Sequence, residues 1–154
     1  MKKLAPIYIV IYSFCIIAMA NAQTIYYDSD VECSTRSDVE YCTTIDGTPI
    51  SGITKQYYES GALKDETNWK DGKKNGLGKE YYESGALKTE AKLKDGKQNG
   101  LTKWYYESGA LAGEANFKDG KLNGLGKQYY ESGALKAESN LKDDKQDGEF
   151  KEYY

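Results

Sequence analysis

Residues 76–100 read GLGKEYYESGALKTEAKLKDGKQNG, and the fold follows from this stretch. After the ESG tripeptide the chain alternates: Leu87, Thr89, Ala91 and Leu93 on one parity, Lys88, Glu90, Lys92 and Lys94 on the other. Period two of this kind is the mark of a half-buried β-strand. Glycines every dozen residues argue further against a helix. The residues before ESG, Leu77 to Tyr82, supply the partner strand. A three-residue loop Glu83-Ser84-Gly85, with Gly85 in the left-handed bulge position, predicts Tyr81 opposite Leu87, Lys79 opposite Thr89 and Leu77 opposite Ala91. Leu77, Tyr81, Leu87, Ala91 and Leu93 would then share one face, with Glu80 paired to Lys88 on the reverse.

The unit recurs. YYESGAL begins at Tyr57, Tyr81, Tyr105 and Tyr129, each 24 residues after the last, and Tyr153-Tyr154 opens a further copy. Between the copies lie KDGKKNG, KDGKQNG, KDGKLNG and a divergent KDDKQDG, and Ile45–Gly52 (IDGTPISG) reads as the same connector with one residue more. Residues 46–154 therefore form one repeat domain. About nine strands are expected from residue 53 onward, joined only by short turns. The expected fold is all-β: an antiparallel β-hairpin meander forming a single sheet, twisted or curled so that its apolar face is partly covered. Glu149 stands where earlier copies have Leu77, Leu101 and Leu125, and Asp144 replaces a glycine, so the last strand reads as a charged cap against edge pairing.

Composition narrows the function. The 154 residues carry 21 Lys+Arg against 24 Asp+Glu and no histidine, so no basic surface is available for nucleic acid, and the commonest general base and zinc ligand is missing. Fifteen of the 20 aromatic residues are tyrosine, a side chain suited to half-wet surfaces.

The first 22 residues read as a secretory leader: Lys2 and Lys3, a mostly apolar run from Leu4 to Ala18, then Ala20-Asn21-Ala22 before a cut at Gln23. The run is short for a bilayer and interrupted by Pro6, Tyr12 and Ser13, so no stable membrane insertion is expected after cleavage. Phe14 before Cys15 argues against a lipid anchor. Loss of the leader takes the formal charge from −3 to −5, with Lys2 and Lys3 removed. The expected location is outside the cytoplasm: periplasmic, cell-surface or secreted. Residues 23–45 form a less regular segment. Its Cys33 and Cys42, an even pair in an exported chain, are expected to form a disulfide. Val39, Tyr41, Thr43 and Ile45 alternate like a strand, yet aligning the DG turns puts Cys42 and Thr44 in the apolar column, and both phases stay open. Tyr26-Tyr27-Asp28-Ser29 resembles a decayed YYES.

The unit GLGKxYYESGALKxExxxKDGKxNG resembles the variant MORN repeat of bacterial proteins labelled as YwqK-type antitoxins, over roughly residues 46–154. The resemblance implies an all-β hairpin array that associates rather than catalyses, and the antitoxin label implies neutralising a toxin, here one acting outside the cytoplasm. Trp104-Tyr105-Tyr106-Glu107-Ser108-Gly109-Ala110-Leu111 also resembles the WYY…SGAM core of choline- and glucan-binding cell-wall repeats, though the GW dipeptide that opens such repeats is missing.

No catalytic, cofactor or metal residues stand out. Ser60, Ser84, Ser108 and Ser132, like Glu59, Glu83, Glu107 and Glu131, fall at equivalent hairpin tips, whereas an active site draws different groups to one pocket. Asp71, Asp95 and Asp119 lack the carboxylate density of calcium repeats. The candidate binding surface is aromatic: Tyr58, Tyr82, Tyr106, Tyr130 and Tyr154, with Trp104, on the polar face of the meander. It reads either as a contact ladder for a protein or glycan, or as packing that holds a thin sheet together. The expected function is a non-catalytic exported protein-interaction module, with an immunity protein against an exported toxin and a cell-wall or glycan binder as alternatives.

Overall fold

The computed structural model describes residues 25–27, 31–36 and 39–154; the expected leader, its cleavage site, Asp28 and Ser29 lie outside the described residues. Among the described residues twelve strands form one sheet: β1 (Ile25–Tyr27), β2 (Val31–Arg36), β3 (Val39–Thr44), β4 (Gly52–Tyr57), β5 (Leu63–Lys70), β6 (Lys73–Tyr81), β7 (Leu87–Lys94), β8 (Lys97–Tyr105), β9 (Leu111–Lys118), β10 (Lys121–Tyr129), β11 (Leu135–Lys142) and β12 (Lys145–Glu152). No helix occurs among the described residues, and none is long and apolar enough to cross a membrane. From β4 to β12 the strands pair in sequence order, each antiparallel to the next, while β1 lies parallel to β4 at one edge. The expected meander is present. Of the twisting or curling expected, curling is absent: the sheet stays open.

Two turn types alternate along it. The YYESG turns close as three-residue loops: Gly85 N–H donates to Tyr82 C=O at 2.9 Å, Tyr82 N–H donates to Ala86 C=O at 2.8 Å, and Gly85 has φ +86°. The other turns are only two residues long. Asp71-Gly72 have φ +50° and +76°, both central residues left-handed, which is the hairpin turn favoured by Asp-Gly. The strand resumes at Lys73, so Asn75-Gly76 is not part of the connector. It forms a bulge within β6, where the pairing steps from Trp69–Lys74 to Thr67–Gly78.

Strand register differs from the sequence expectation. Tyr81 does face Leu87, but Lys88 is then an extra residue, and Glu80 faces Thr89, Lys79 faces Glu90, Gly78 faces Ala91 and Leu77 faces Lys92. The same bulge recurs at Tyr57, Tyr105 and Tyr129. This one-residue slip exchanges part of one face for the other. Leu77 and Tyr81 lie opposite to the face holding Ala91 and Leu93, and the latter join Glu80 and Trp104. The physical gain is visible in the columns it creates. Lys55, Glu66, Lys79, Glu90, Lys103, Glu114, Lys127, Glu138 and Lys151 face one another in unbroken alternation across nine strands. Each opposite-charge pair contributes on the order of 0.2–1 kcal/mol. On the reverse face runs a column of small residues: Thr54, Thr67, Gly78, Ala91, Thr102, Ala115, Gly126 and Ser139, ending at Phe150. A Cβ on Gly78 would come within 2.8 Å of Leu93 Cδ1, so a larger residue there would make the Leu93 side chain shift.

The segment expected to be irregular holds β1 and the antiparallel pair β2–β3, joined by the Cys33–Cys42 disulfide with Cα atoms 4.1 Å apart. Cys42 is fully buried, which places it in the inward phase. It forms the core with Ile50 and Trp69, against which Tyr26 and Val31 pack. Trp69 Nε1 donates to Thr54 Oγ1 at 2.8 Å, and Glu40 on β3 pairs with Lys74 on β6 at 2.8 Å. The β2–β3 hairpin thus leans over the small-residue face of the first repeats. Val31, Cys33 and Glu40 bound a pocket of about 600 Å³ whose other walls include Gln56, Asp65, Trp69 and Lys74.

Candidate functional site

The tyrosine ladder is tied into the backbone. Tyr58, Tyr82, Tyr106 and Tyr130 donate their hydroxyls to the carbonyls of Tyr81, Tyr105, Tyr129 and Tyr153, at 2.7, 2.8, 2.8 and 3.1 Å. Each ring therefore fastens its own turn to the next turn of the same kind. Lys64, Lys88 and Lys136 lie over the rings of Tyr58, Tyr82 and Tyr130, 5.6–5.8 Å from their centroids. In the third repeat that lysine is replaced by Ala112. Tyr154 is fully exposed and its hydroxyl reaches only Glu152, at 3.3 Å. On the opposite edge the two-residue turns are stitched likewise: the N–H groups of Gly72, Gly96, Gly120 and Asp144 donate to the carbonyls of Ile50, Lys74, Gln98 and Leu122.

Trp104 stands apart from this lattice. It lies on the small-residue face, edge-on to Phe117 with centroids 6.3 Å apart, and against Gly113, where an added Cβ would meet Trp104 Cε3 at 3.6 Å and the Lys127 carbonyl at 3.0 Å. It forms one wall of a groove of about 370 Å³, whose apolar lining includes Ala115, Leu122, Leu141 and Phe150.

Superposing the repeats in sequence shows how this groove arises. It is the counterpart, 48 residues on, of the surface that β2–β3 leans over. Where the first pocket has Gln56, Lys64, Asp65 and Lys74, the groove has Trp104, Ala112, Gly113 and Leu122. Four polar positions become apolar together. Elsewhere in the array the Trp104 position carries Gln56, Glu80, Gln128 or Glu152, and the Leu122 position Lys74, Gln98 or Gln146. Inspecting Trp104 alone could not reveal this, because Gly113 and Leu122 become its neighbours only through the observed register. The departures from the repeat consensus were nevertheless in the sequence.

The polar groups nearby have structural partners. Asp65 accepts from Thr67 Oγ1 at 3.0 Å in the first pocket, and burial pushes its carboxyl above the usual carboxylate range despite that bond and the charge of Lys74. Tyr129 donates to Glu114 Oε1 at 3.2 Å; burial and the carboxylate's charge push the phenol upward. Cys33, Glu40 and Cys42 bring three donor atoms within 4.8 Å of one another, with both sulfurs bonded to each other.

An array of β-hairpins in which each unit packs on its neighbours, its side chains holding successive turns together, defines a repeat protein. The chain belongs to the MORN repeat proteins: the MORN repeat variant matches residues 50–71, 98–119 and 122–143, and the MORN repeat matches residues 68–87. Repeats of this family are generally non-catalytic modules. Comparison with curated proteins finds no match.

Proposed function

We propose that the chain is an exported, non-catalytic module that binds another protein through the groove of its third and fourth repeats. The observation that carries this reading is that the polar residues of the first pocket, Gln56, Lys64, Asp65 and Lys74, have Trp104, Ala112, Gly113 and Leu122 as their counterparts on the part of the small-residue face that β2–β3 leaves uncovered. Three of these positions depart from what every other repeat carries: Trp104 stands in place of Gln or Glu, Ala112 in place of Lys, and Leu122 in place of Lys or Gln. Partly exposed Trp and Leu in a concave patch are the ordinary composition of contact hot spots. The likeness to YwqK-type antitoxins suggests a narrower form of the same reading, in which the partner is an exported toxin.

Affinity capture from envelope and secreted fractions, with the protein and its Trp104→Gln/Leu122→Lys variant as baits, tests the proposal. Both substitutions install residues that other repeats already carry at those positions, so folding is preserved. A stoichiometric protein held by the parent and lost by the variant supports the reading. Equal capture by both moves the site elsewhere. Retention on wall material alone, eluted by free choline or sugar, replaces the reading with glycan binding.

A further inference from the structure

We infer that the face opposite the groove is a self-association surface, on which two copies of this chain stack sheet to sheet about a two-fold axis running parallel to the strands between β7 and β8. The occupant is a second copy because the face is its own complement. The inference is independent of the groove, which lies on the other side of the sheet.

Three rows make up this face. The middle row is the Lys/Glu column, alternating in sign from Lys55 on β4 to Lys151 on β12. On one flank every repeat sets a Tyr opposite a Leu, as Tyr81 and Leu87. On the other an aliphatic residue meets an Asn, as Leu101 and Asn116, with Lys92 standing for the Asn in one repeat. Tyr57, Leu125 and Tyr153 of the flanking rows are exposed. Among the described residues the column closes into ion pairs only near its ends, Lys55–Glu66 at 3.3 Å and Lys151–Glu138 at 3.7 Å, while Lys79, Glu90 and Lys103 at its centre form none. These central charges are open to a partner.

Symmetry restricts how two such faces meet. A two-fold axis along the strands lays each row of one copy on the same row of the other and reverses the order of the strands. With the axis between β7 and β8, β4 to β11 of one copy face β11 to β4 of the other, and every Lys in the overlap meets a Glu: Lys103 meets Glu90, and Lys79 meets Glu114. The same offset lays each Tyr on a Leu, so that large and small side chains interlock. Centring the axis on a strand would set Lys on Lys and Glu on Glu, which is repulsive. Moving it one strand further, between β8 and β9, restores the charge match but buries β12, where Glu149 replaces the aliphatic residue.

Strands about 4.8 Å apart, from β4 to β11 and three rows wide, give a contact of about 650 Å² per copy, which reaches the lower end of stable interfaces. Burial of the Tyr/Leu row supplies the affinity, and the charge column sets the register, since ion pairs across an interface contribute more to specificity than to net affinity. Sheets packed face to face keep their strands within about 30° of each other, so the fit is closest at the centre, where Glu90 meets Lys103. Both grooves then face outward, on opposite sides of the pair.

Sedimentation velocity over a concentration series, on the purified protein and its Glu90→Lys and Lys103→Glu variants, tests the inference, after circular dichroism and thermal melts establish that each variant is folded. The parent is expected to dimerise. Each reversal alone sets like charges at both central contacts and should weaken the dimer about tenfold or more. An equimolar mixture of the two should recover the parent's affinity, because the variants carry opposite signs at both contacts; repulsion within each chain cannot produce that recovery. Trp104→Gln, on the other face, should dimerise like the parent. A monomeric parent, a dimer indifferent to either reversal, a mixture no tighter than its components, or loss of the dimer in Trp104→Gln would overturn the inference. Should a reversal prevent folding, Glu90→Cys and Lys103→Cys provide the second test: mixed and mildly oxidised, they should cross-link to each other faster than either does to itself, and equal rates would overturn the inference.

Discussion

At the scale of single residues, the repeats work as internal controls. Thr54 accepts the indole N–H of Trp69, whereas its third-repeat counterpart Thr102 sits fully buried beside Phe117, which has no N–H to give, and Thr102 Oγ1 has no hydrogen-bond partner. The same substitution should therefore have opposite consequences. Thr54→Val strands a buried donor and should cost about 1–3 kcal/mol, while Thr102→Val removes an unsatisfied hydroxyl and should be neutral or stabilising. Chemical denaturation of the two variants decides it; equal losses would contradict the pairing described. Asp65 gives a pH test. Its carboxyl is raised above 3.8 in the folded state, so below that value both states are protonated and the residue contributes nothing. As pH rises through the folded value, ionisation is harder in the folded state and stability is lost. Asp65→Asn, which keeps an acceptor for Thr67, should raise Tm at neutral pH and lose its advantage near pH 3.

At the scale of the hairpin, conformation and side-chain pegs divide the labour. Gly85 has φ +86° and open space where a Cβ would project, so Gly85→Ala is strained only by its backbone and should cost about 1–2 kcal/mol. Steric crowding contributes nothing there, and an unaltered Tm would mean that the turn relaxes. The tyrosine pegs predict a different series. Tyr82→Phe removes the bond to the Tyr105 carbonyl and should cost about 1 kcal/mol, whereas Tyr154→Phe, at a fully exposed side chain, should cost nothing measurable. Sequence reading recognised the Tyr pair and offered contact or packing as its role; the four hydroxyl-to-carbonyl bonds give it a structural role. The three-residue loop was legible because Ser-Gly and left-handed glycine are local chemistry. The extra residue at Lys88 was not, since its advantage lies in bringing Glu90 against Lys79 and Lys103 on two other strands.

At the scale of the molecule, stability is graded along a line. The amino-terminal end is braced by the β2–β3 hairpin, the disulfide and the Cys42–Ile50–Trp69 core, while every residue of β12 is exposed. Where units touch only their neighbours, opening is local and starts at the weaker end. Hydrogen exchange should show β12 least protected, with protection rising toward β5 and β6. Reducing Cys33–Cys42 should lower protection in β4–β6 and leave β10–β12 unchanged; a uniform loss across the sheet would mean that the array unfolds as one cooperative body. The open sheet also explains why a groove can persist at the third repeat: one hairpin covers one end of the small-residue face, and β2–β3 reaches no further.

The sequence by itself determined the period, the strands from residue 53 onward, the three-residue ESG turn and the order of the meander, because each depends on residues close in the chain or on literal repetition. Register and the identity of the two faces were decided only by the tertiary structure. They depend on summing a Lys/Glu ladder and a column of small residues over nine strands, and a bulge of one residue, nearly free within one hairpin, settles that sum.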